Sequence, residues 1–249
     1  MSLTGMSGYG RIRMFEDFLG GADVAVSDTD AIKTAAGVAG PYAMYGSLAE
    51  TDCGLILVGK ANGWGRITGT NEDGYGLAIG TEVSLSADLN GPIVIEARVE
   101  MASLATTNVF LGLVATAADD IAAPIACATT VITKVCACTG FLFASDLTAT
   151  TTWHMPYILA ADTTQTSTTV ASSQVAVAAE ADVLRLEVFK DGSANWFING
   201  KLEQSVGAGL AVDTTTLYAA VLGQWGTTTT AMSVDVDYLA VEAERDWTR

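Results

Sequence analysis

The sequence predicts an all-β chain built as two packed antiparallel sheets. Helical periodicity is almost absent along the 249 residues, while short alternating or continuously apolar runs recur between Gly, Pro, Asn and Asp. One run, residues 93–101, alternates apolar and polar positions along most of its length. Three dipeptides, Asp73-Gly74, Asp191-Gly192 and Asn199-Gly200, tolerate the positive φ that tight hairpin turns need.

Along the chain, residues 66–68 and 75–79 flank Asp73-Gly74 and read as a hairpin. In the next strand Ile93, Ile95, Ala97, Val99 and Met101 make one face, and Glu96, Arg98 and Glu100 lie on the other. Pro92 sits just ahead, where its missing N–H does least harm. Residues 109–115, 140–144, 155–160 and 217–222 are more continuously apolar, as the central strands of two stacked sheets are. Residues 183–190, 194–199 and 201–206 form a meander through Asp191-Gly192 and Asn199-Gly200. Thr-, Ala- and Ser-rich stretches at 148–152, 163–173 and 227–230 have no fixed period and read as loops or exposed edges. The last clear strand covers 232–242.

Only 16% of the residues are charged, against about 25% in an average soluble protein, and 50% are apolar; this excludes a disordered chain and a small scaffold held by staples. The length suits one domain, residues 12–249, behind a short N-terminal arm, residues 1–11. A formal charge of −16 opposes phosphate backbones and anionic lipid, so neither nucleic acid nor membrane is expected as a partner. No stretch approaches the roughly 20 apolar residues of a spanning helix, and residues 1–10 lack the basic and apolar regions of a secretory signal. Cys53, Cys127, Cys136 and Cys138 are too few and too unevenly placed for a disulfide framework, which fits synthesis in a reducing compartment, the cytoplasm of a host cell.

Residues 235–241, Asp-Val-Asp-Tyr-Leu-Ala-Val, resemble the closing strand of concanavalin-like jelly rolls, laminarinase-type glycosidases among them. The segment Asn195-Trp196-Phe197-Ile198-Asn199-Gly200-Lys201 resembles the hairpin that precedes that strand. The opening Phe15-Glu16-Asp17-Phe18-Leu19-Gly20, the Thr/Ala-rich middle and the closing Asp237, Tyr238, Val241 and Arg245 resemble jelly-roll structural proteins of tailed-phage virions. The resemblance implies a two-sheet antiparallel jelly-roll sandwich whose first and last strands are neighbours, with residues 12–18 antiparallel to residues 234–241.

Against this background the sequence offers only incomplete catalytic and metal-binding patterns. Retaining glycosidases need two carboxylates about 5–5.5 Å apart, which the laminarinase-type family draws from Glu-x-Asp-x-x-Glu. The segments Glu50-Thr51-Asp52-Cys53-Gly54-Leu55 and Glu180-Ala181-Asp182-Val183-Leu184-Arg185 both lack the final Glu. Asp235 and Asp237 share a strand face at roughly 6.5–7 Å and read as a solvated face or as caps on a neighbouring loop. Cys136-Ala137-Cys138 with Cys127 and His154 offers zinc-type ligands at the wrong spacing, and buried thiols acting as small hydrophobes are the plainer reading. Asn71-Glu72-Asp73 and Asp119-Asp120 read as turn acids and not as a calcium loop. His154 reads as a hydrogen-bonded structural histidine. No nucleophile elbow or phosphate loop is present in the sequence, so no catalytic, cofactor or metal residue is assigned.

The expected function is therefore that of a non-enzymatic capsid decoration or cement protein on the outside of a phage shell. Its partners would be major capsid protein subunits and copies of itself, a trimer suiting local three-fold points. The docking residues expected are Arg11, Arg13, Phe15, Trp247 and Arg249, a basic and aromatic corner on an otherwise acidic surface. The alternative is a lectin-like glycan-binding module with Trp64, between glycines in Asn62-Gly63-Trp64-Gly65, stacking on a sugar. A degenerate glycosidase is the third reading.

Overall fold

The computed structural model describes residues 10–19, 24–25, 33–46, 54–68, 76–116, 124–158, 164–227 and 233–245. Sheet I runs in the order β19 (Lys201–Val206), β18 (Ala194–Ile198), β17 (Ala181–Val188), β8 (Ile93–Met101), β21 (Ser233–Glu244), β6 (Trp64–Thr68), β5 (Gly54–Val58) and β2 (Val24–Ala25), with β1 (Arg11–Glu16) also on β21. Sheet II runs β16 (Ala171–Val175), β13 (Thr152–His154), β12 (Cys138–Ala144), β9 (Thr107–Val114), β20 (Ala219–Gly226), β7 (Gly76–Gly80), β4 (Tyr42–Gly46) and β3 (Lys33–Ala39), with β14 (Tyr157–Ile158) also on β12. The small sheet III is β10 (Ile125–Ala128), β11 (Val131–Lys134) and β15 (Thr164–Thr166). One helical turn, α1 (Ala87–Asn90), and a 3-10 turn at Ser167–Thr169 are the helices among the described residues. Among the described residues no helix is long and apolar enough to cross a membrane.

The fold is the expected all-β antiparallel jelly-roll sandwich with adjacent first and last strands. The pairing register is shorter than expected. β1 runs from Arg11↔Glu244 to Glu16↔Leu239, while residues 233–236 of β21 pair with β6 instead. The physical reason lies in the opening motif. The Glu16 carboxylate accepts the Phe18 N–H at 3.0 Å, and Phe18 takes φ +53°, which ends the strand and drops its ring into the core over Gly65. A Cβ on Gly65 would stand 2.7 Å from that ring. β1 starts at Arg11, so the expected arm boundary at 11/12 falls inside a strand.

Alternation in β8 is as expected, with Ile93, Ile95, Ala97, Val99 and Met101 buried between the sheets. They meet Val109, Leu111, Leu113, Phe141, Phe143 and Leu222 of sheet II. Burial of each such side chain contributes about 1.5–3 kcal/mol. Polar pins cross the interface: Trp196 Nε1–H donates to the Gly140 carbonyl at 2.9 Å, and the Tyr42 hydroxyl reaches the carbonyls of Met14 at 2.9 Å and Leu239 at 3.1 Å.

β9, β12 and β20 are apolar on both faces for a reason that a two-layer picture lacks. All three lie in sheet II, and their outward residues Phe110, Val114, Leu142, Val221 and Trp225 form a second core with Ile125 and Ile132 of sheet III. Gly112 and Gly140 face each other at the centre of this layer, where a Cβ on either would meet backbone within 2.2 Å and the Phe110 ring within about 3.0 Å.

Two expected elements differ. Residues 155–160 are not a central strand, since only Tyr157–Ile158 pair, while residues 159–160 lie outside the described residues. The strands expected on either side of Asp73-Gly74 are not a hairpin: β6 belongs to sheet I and β7 to sheet II, and the dipeptide lies outside the described residues. The other two turns form as read. Asn199 and Gly200 take φ +51° and +78°, and Gly192 takes φ +77° in a loop braced by Asp191 Oδ1 accepting from the N–H and O–H of Ser193.

Candidate functional site

The outward face of sheet I carries a lattice of paired charges. Asp235 on β21 stands opposite Arg66 on β6 and Glu100 on β8. Arg66 donates to Asp235 through Nε at 2.6 Å and Nη2 at 3.0 Å, and Lys60 Nζ bridges Asp235 at 2.6 Å and Glu100 at 2.7 Å. A bulge at residues 236–238 lets Asp237 turn onto Arg98 at 2.7 Å, while the Tyr238 hydroxyl donates to Glu96 at 2.7 Å. Arg185 then joins Glu96 at 3.2 Å and Glu187 at 2.7 Å. Burial raises the pKa of Asp235, but the hydrogen bonds and charges of Arg66 and Lys60 prevail and hold it below the usual carboxylate range.

The lattice accounts for the carboxylates that the sequence offered for acid–base work. Asp235 and Asp237 do lie on one strand, yet Asp235 is bound to Arg66 and Lys60 and Asp237 to Arg98, and the lowered pKa of Asp235 is opposite to the raised one that a glycosidase acid needs. Asp182 is also committed, accepting from Trp153 Nε1 and from Asn199 Nδ2, both at 2.9 Å. Residues 50–53, Asn71-Glu72-Asp73 and Asp119-Asp120 lie outside the described residues.

Trp64 takes the place of a core anchor and not the exposed place that the sugar-stacking alternative gave it. Its first strand position buries it to 5% exposure, its indole N–H donates to the Ala61 carbonyl at 3.1 Å, and Lys60 and Arg98 stand 4.8 and 5.2 Å from its ring. Two cations of the lattice occupy the ring where a sugar would stack. His154 is fully buried, but the hydrogen bonds expected of it do not form, since neither ring nitrogen has a partner, and burial lowers its pKa. Among the described residues no three His, Cys, Asp or Glu side chains gather closely enough to hold an ion.

The terminal corner is partly assembled. Arg11, Arg13 and Phe15 alternate outward along β1 and are exposed, while Trp247 and Arg249 lie outside the described residues. Phe15 stacks on Tyr238 with centroids 6.0 Å apart, so the opening and closing motifs meet in space. Arg13 pairs with Glu242 at 3.6 Å across the β1–β21 ladder, with both side chains half exposed. Glu244 is held by Lys190 at 3.0 Å. Next to this row Arg11, Pro92, Val94, Glu242, Ala243 and Glu244 line a dimple of about 120 Å³.

At one end of the sandwich, Leu104 to Thr106 after β8, Ser145, Asp146, Thr150 and Thr151 after β12 and Thr227 after β20 line an open cleft of about 430 Å³. Its hydroxyls are close enough to bond each other, Ser145 Oγ lying 3.3 Å from Thr227 Oγ1. Sequence reasoning missed this cleft and the register of the lattice. The alternation Glu96-x-Arg98-x-Glu100 was a visible sign of a charged face, but its partners Lys60 and Arg66 are brought in by strand pairing that the sequence does not display.

No family model and no curated protein matches the chain. Among solved structures it is similar to a protein of unknown function from Shewanella oneidensis MR-1, at 12% identity and TM-score 0.59, covering 100% of this chain and 92% of that one. It is similar to the Bacillus licheniformis β-glucanase at 10% identity and TM-score 0.51, covering 92% and 97% of the two chains. The carbohydrate recognition domain of Emp46p follows at 8% identity and TM-score 0.52, covering 80% and 87%. These likenesses define the class: a concanavalin- and lectin-like jelly roll, a fold that those neighbours share with this chain at very low identity.

Proposed function

We propose that this chain is a non-catalytic structural jelly roll that works by docking onto a larger assembly, as a decoration or cement protein on the outer surface of a phage shell. The observation that carries the reading is that the described middles of both broad faces are occupied, one by paired charges and the other by the second core. Among the described residues, the row Arg11, Arg13 and Phe15 on β1 is exposed and has the residue types that anchor interfaces. The sequence resemblance at both ends supplies the kind of assembly, with major capsid protein subunits as partner and a trimer as the self-associated form. In the test, the purified chain is added to particles that lack it, and occupancy is compared for the wild type and the double variant Arg11→Ala/Arg13→Ala. Saturating occupancy lost in the variant supports the reading; equal occupancy of both overturns the docking row.

A second reading is favoured by the hydroxyl-bearing cleft at 104–106, 145–146, 150–151 and 227 together with the glycan-handling names of two fold neighbours. In it the chain is a lectin-like module whose cleft, and not Trp64, meets the sugar. Glycan-array binding that is lost in Asp146→Ala, with no association to particles, would put this reading first.

A further inference from the structure

The layer between sheets II and III holds a charge that the fold does not pair. Lys134 closes β11 on the same side as Ile132, is fully buried, and its Nζ has no hydrogen-bond partner. A buried ammonium without a partner is costly. Beside it are two thiols. Cys138 opens β12 and is buried, whereas Cys136 lies in the bent segment 135–137 and is partly exposed. The Cys138 thiol points to the Pro124 carbonyl at 4.0 Å, which also accepts the Val135 N–H at 3.0 Å, and the Ala137 carbonyl accepts the Ala115 N–H at 2.9 Å, so the bend that carries both thiols is pinned beside Lys134 and packs into the second core. A partly exposed sulfur two residues from a buried, unpartnered ammonium is a site for a thiolate.

We propose that Cys136 and Cys138 form a peroxide-reactive dithiol, with Cys136 as the attacking sulfur, Cys138 as the resolving one and Lys134 as the buried cation beside the attacking thiolate. The Cys136 thiolate attacks one oxygen of a hydroperoxide, the O–O bond breaks, and the departing oxygen takes a proton to leave as water or an alcohol. Cys136 is then a sulfenic acid. The Cys138 sulfur attacks it, the S–O bond breaks, and the Cys138 proton leaves with that oxygen as a second water. Two thiols are oxidised to one disulfide and one peroxide is reduced. Residues two apart in a straight strand have Cα atoms about 6.6 Å apart, near the upper end of the disulfide range, and here the chain bends at Cys136.

The proton affinities agree with these roles. The neighbouring Cys138 thiol, nearby backbone N–H groups and Lys134 outweigh burial and bring Cys136 below the usual thiol range, while burial pushes Cys138 well up, so it keeps its proton until it attacks. Burial brings Lys134 down to about 8, opposed by the two cysteines. Cys127 is an internal control, since burial and Asp146 push it up to about 12.

The experiment uses the full chain with Cys53→Ser, treated with hydrogen peroxide and digested with trypsin, so that both thiols fall in the peptide 135–185. The expected result is that this peptide becomes lighter by two hydrogens before Cys127 reacts, and that Cys138→Ser instead traps a dimedone adduct on Cys136. Lys134→Met is expected to slow the reaction roughly tenfold, as the loss of about one pKa unit of thiolate stabilisation does. A measurement independent of variant folding is the alkylation rate of wild-type Cys136 between pH 7 and 9. An ordinary thiol gains roughly twentyfold over that range, and Cys136 is expected to gain less than about fivefold. A twentyfold gain, or oxidation that starts at Cys127, overturns the proposal.

Discussion

The two outer faces of this sandwich solve the same problem in opposite ways. On sheet I the outward residues of β8, β17 and β21 are charged, and four of the chain's 12 basic residues, Lys60, Arg66, Arg98 and Arg185, are spent in pairing their acids. On sheet II the outward residues are apolar and sheet III covers them. The difference explains the composition. A chain with two cores needs more apolar residues and has one broad face fewer to solvate, which accounts for a mean hydropathy of +0.36. It also locates the liabilities. The charged face satisfies its polar atoms, whereas the covered face leaves Lys134, His154 and Asn108 with buried atoms that lack partners.

Cutting into each face should show the contrast directly. Phe110→Ala removes a ring that is 1% exposed and packed across Gly112 and Gly140, in a layer that cannot collapse without moving two strands. We expect a loss of about 3–5 kcal/mol in urea unfolding. A loss under about 1 kcal/mol would mean that sheet III is not a packed layer. On the charged face Asp235→Asn leaves Arg66 and Lys60 without their shared carboxylate and is expected to cost about 2 kcal/mol, a range typical of hydrogen bonds to charged groups.

The faces also differ in pH response. Asp235 has a folded-state pKa below its unfolded one, so its contribution is present above the unfolded value near 4 and is lost as pH falls through the folded value. The wild type should therefore lose more stability between pH 4 and pH 2 than Asp235→Asn, whose acid limb is flatter. Lys134 behaves in the opposite sense. With its folded pKa brought to about 8, charging it penalises the folded state at neutral pH, and the penalty fades as pH rises from about 8 toward the unfolded value near 10.5. Lys134→Met is thus expected to be at least as stable as the wild type at pH 7, with an advantage on the order of 1 kcal/mol that shrinks by pH 10. An advantage that grows with pH would show that the Lys134 charge is stabilising.

Much of this was legible in the sequence, and the reasons can be traced to particular residues. The alternation of Ile93 to Met101 gave an outward and an inward face at once, because a period of two can be read without a partner. The Asn199-Gly200 turn was legible because only two residues set its geometry. The neighbouring of β1 and β21 came only through resemblance. What stayed hidden depends on pairings between residues far apart in sequence. Sheet III looks like loop because its strands are short and Thr-rich, and nothing local tells that Ile125 and Ile132 lie on Leu142. Trp64 looked exposed between its glycines, but Lys60 and Arg98, which cover it, reach it through a turn and a strand pairing respectively.

The smallest expected effect on stability falls at the terminal corner, and that smallness makes it diagnostic. Arg13 and Glu242 are half exposed and 3.6 Å apart, an ion pair of the kind that contributes about 0–1 kcal/mol. Arg11 stands opposite Glu244, which already has Lys190. Changing both arginines to Ala should therefore leave urea unfolding within about 1 kcal/mol of the wild type, while deleting residues 1–13 removes three residues of β1 and confuses folding with docking. If these side chains anchor the chain to a shell, each desolvated hot spot is worth about 2 kcal/mol or more of binding, and the double variant should dissociate from particles at a salt concentration that the wild type withstands. Phe15→Ala sharpens the comparison, because it removes the ring that stacks on Tyr238 without changing charge. Occupancy lost in Phe15→Ala at every salt concentration, and lost in the arginine variant mainly at high salt, would divide the contact into an apolar anchor and a screened electrostatic rim. Occupancy unchanged in both, with unfolding also unchanged, would leave β1 as an ordinary edge whose exposed arginines serve solubility.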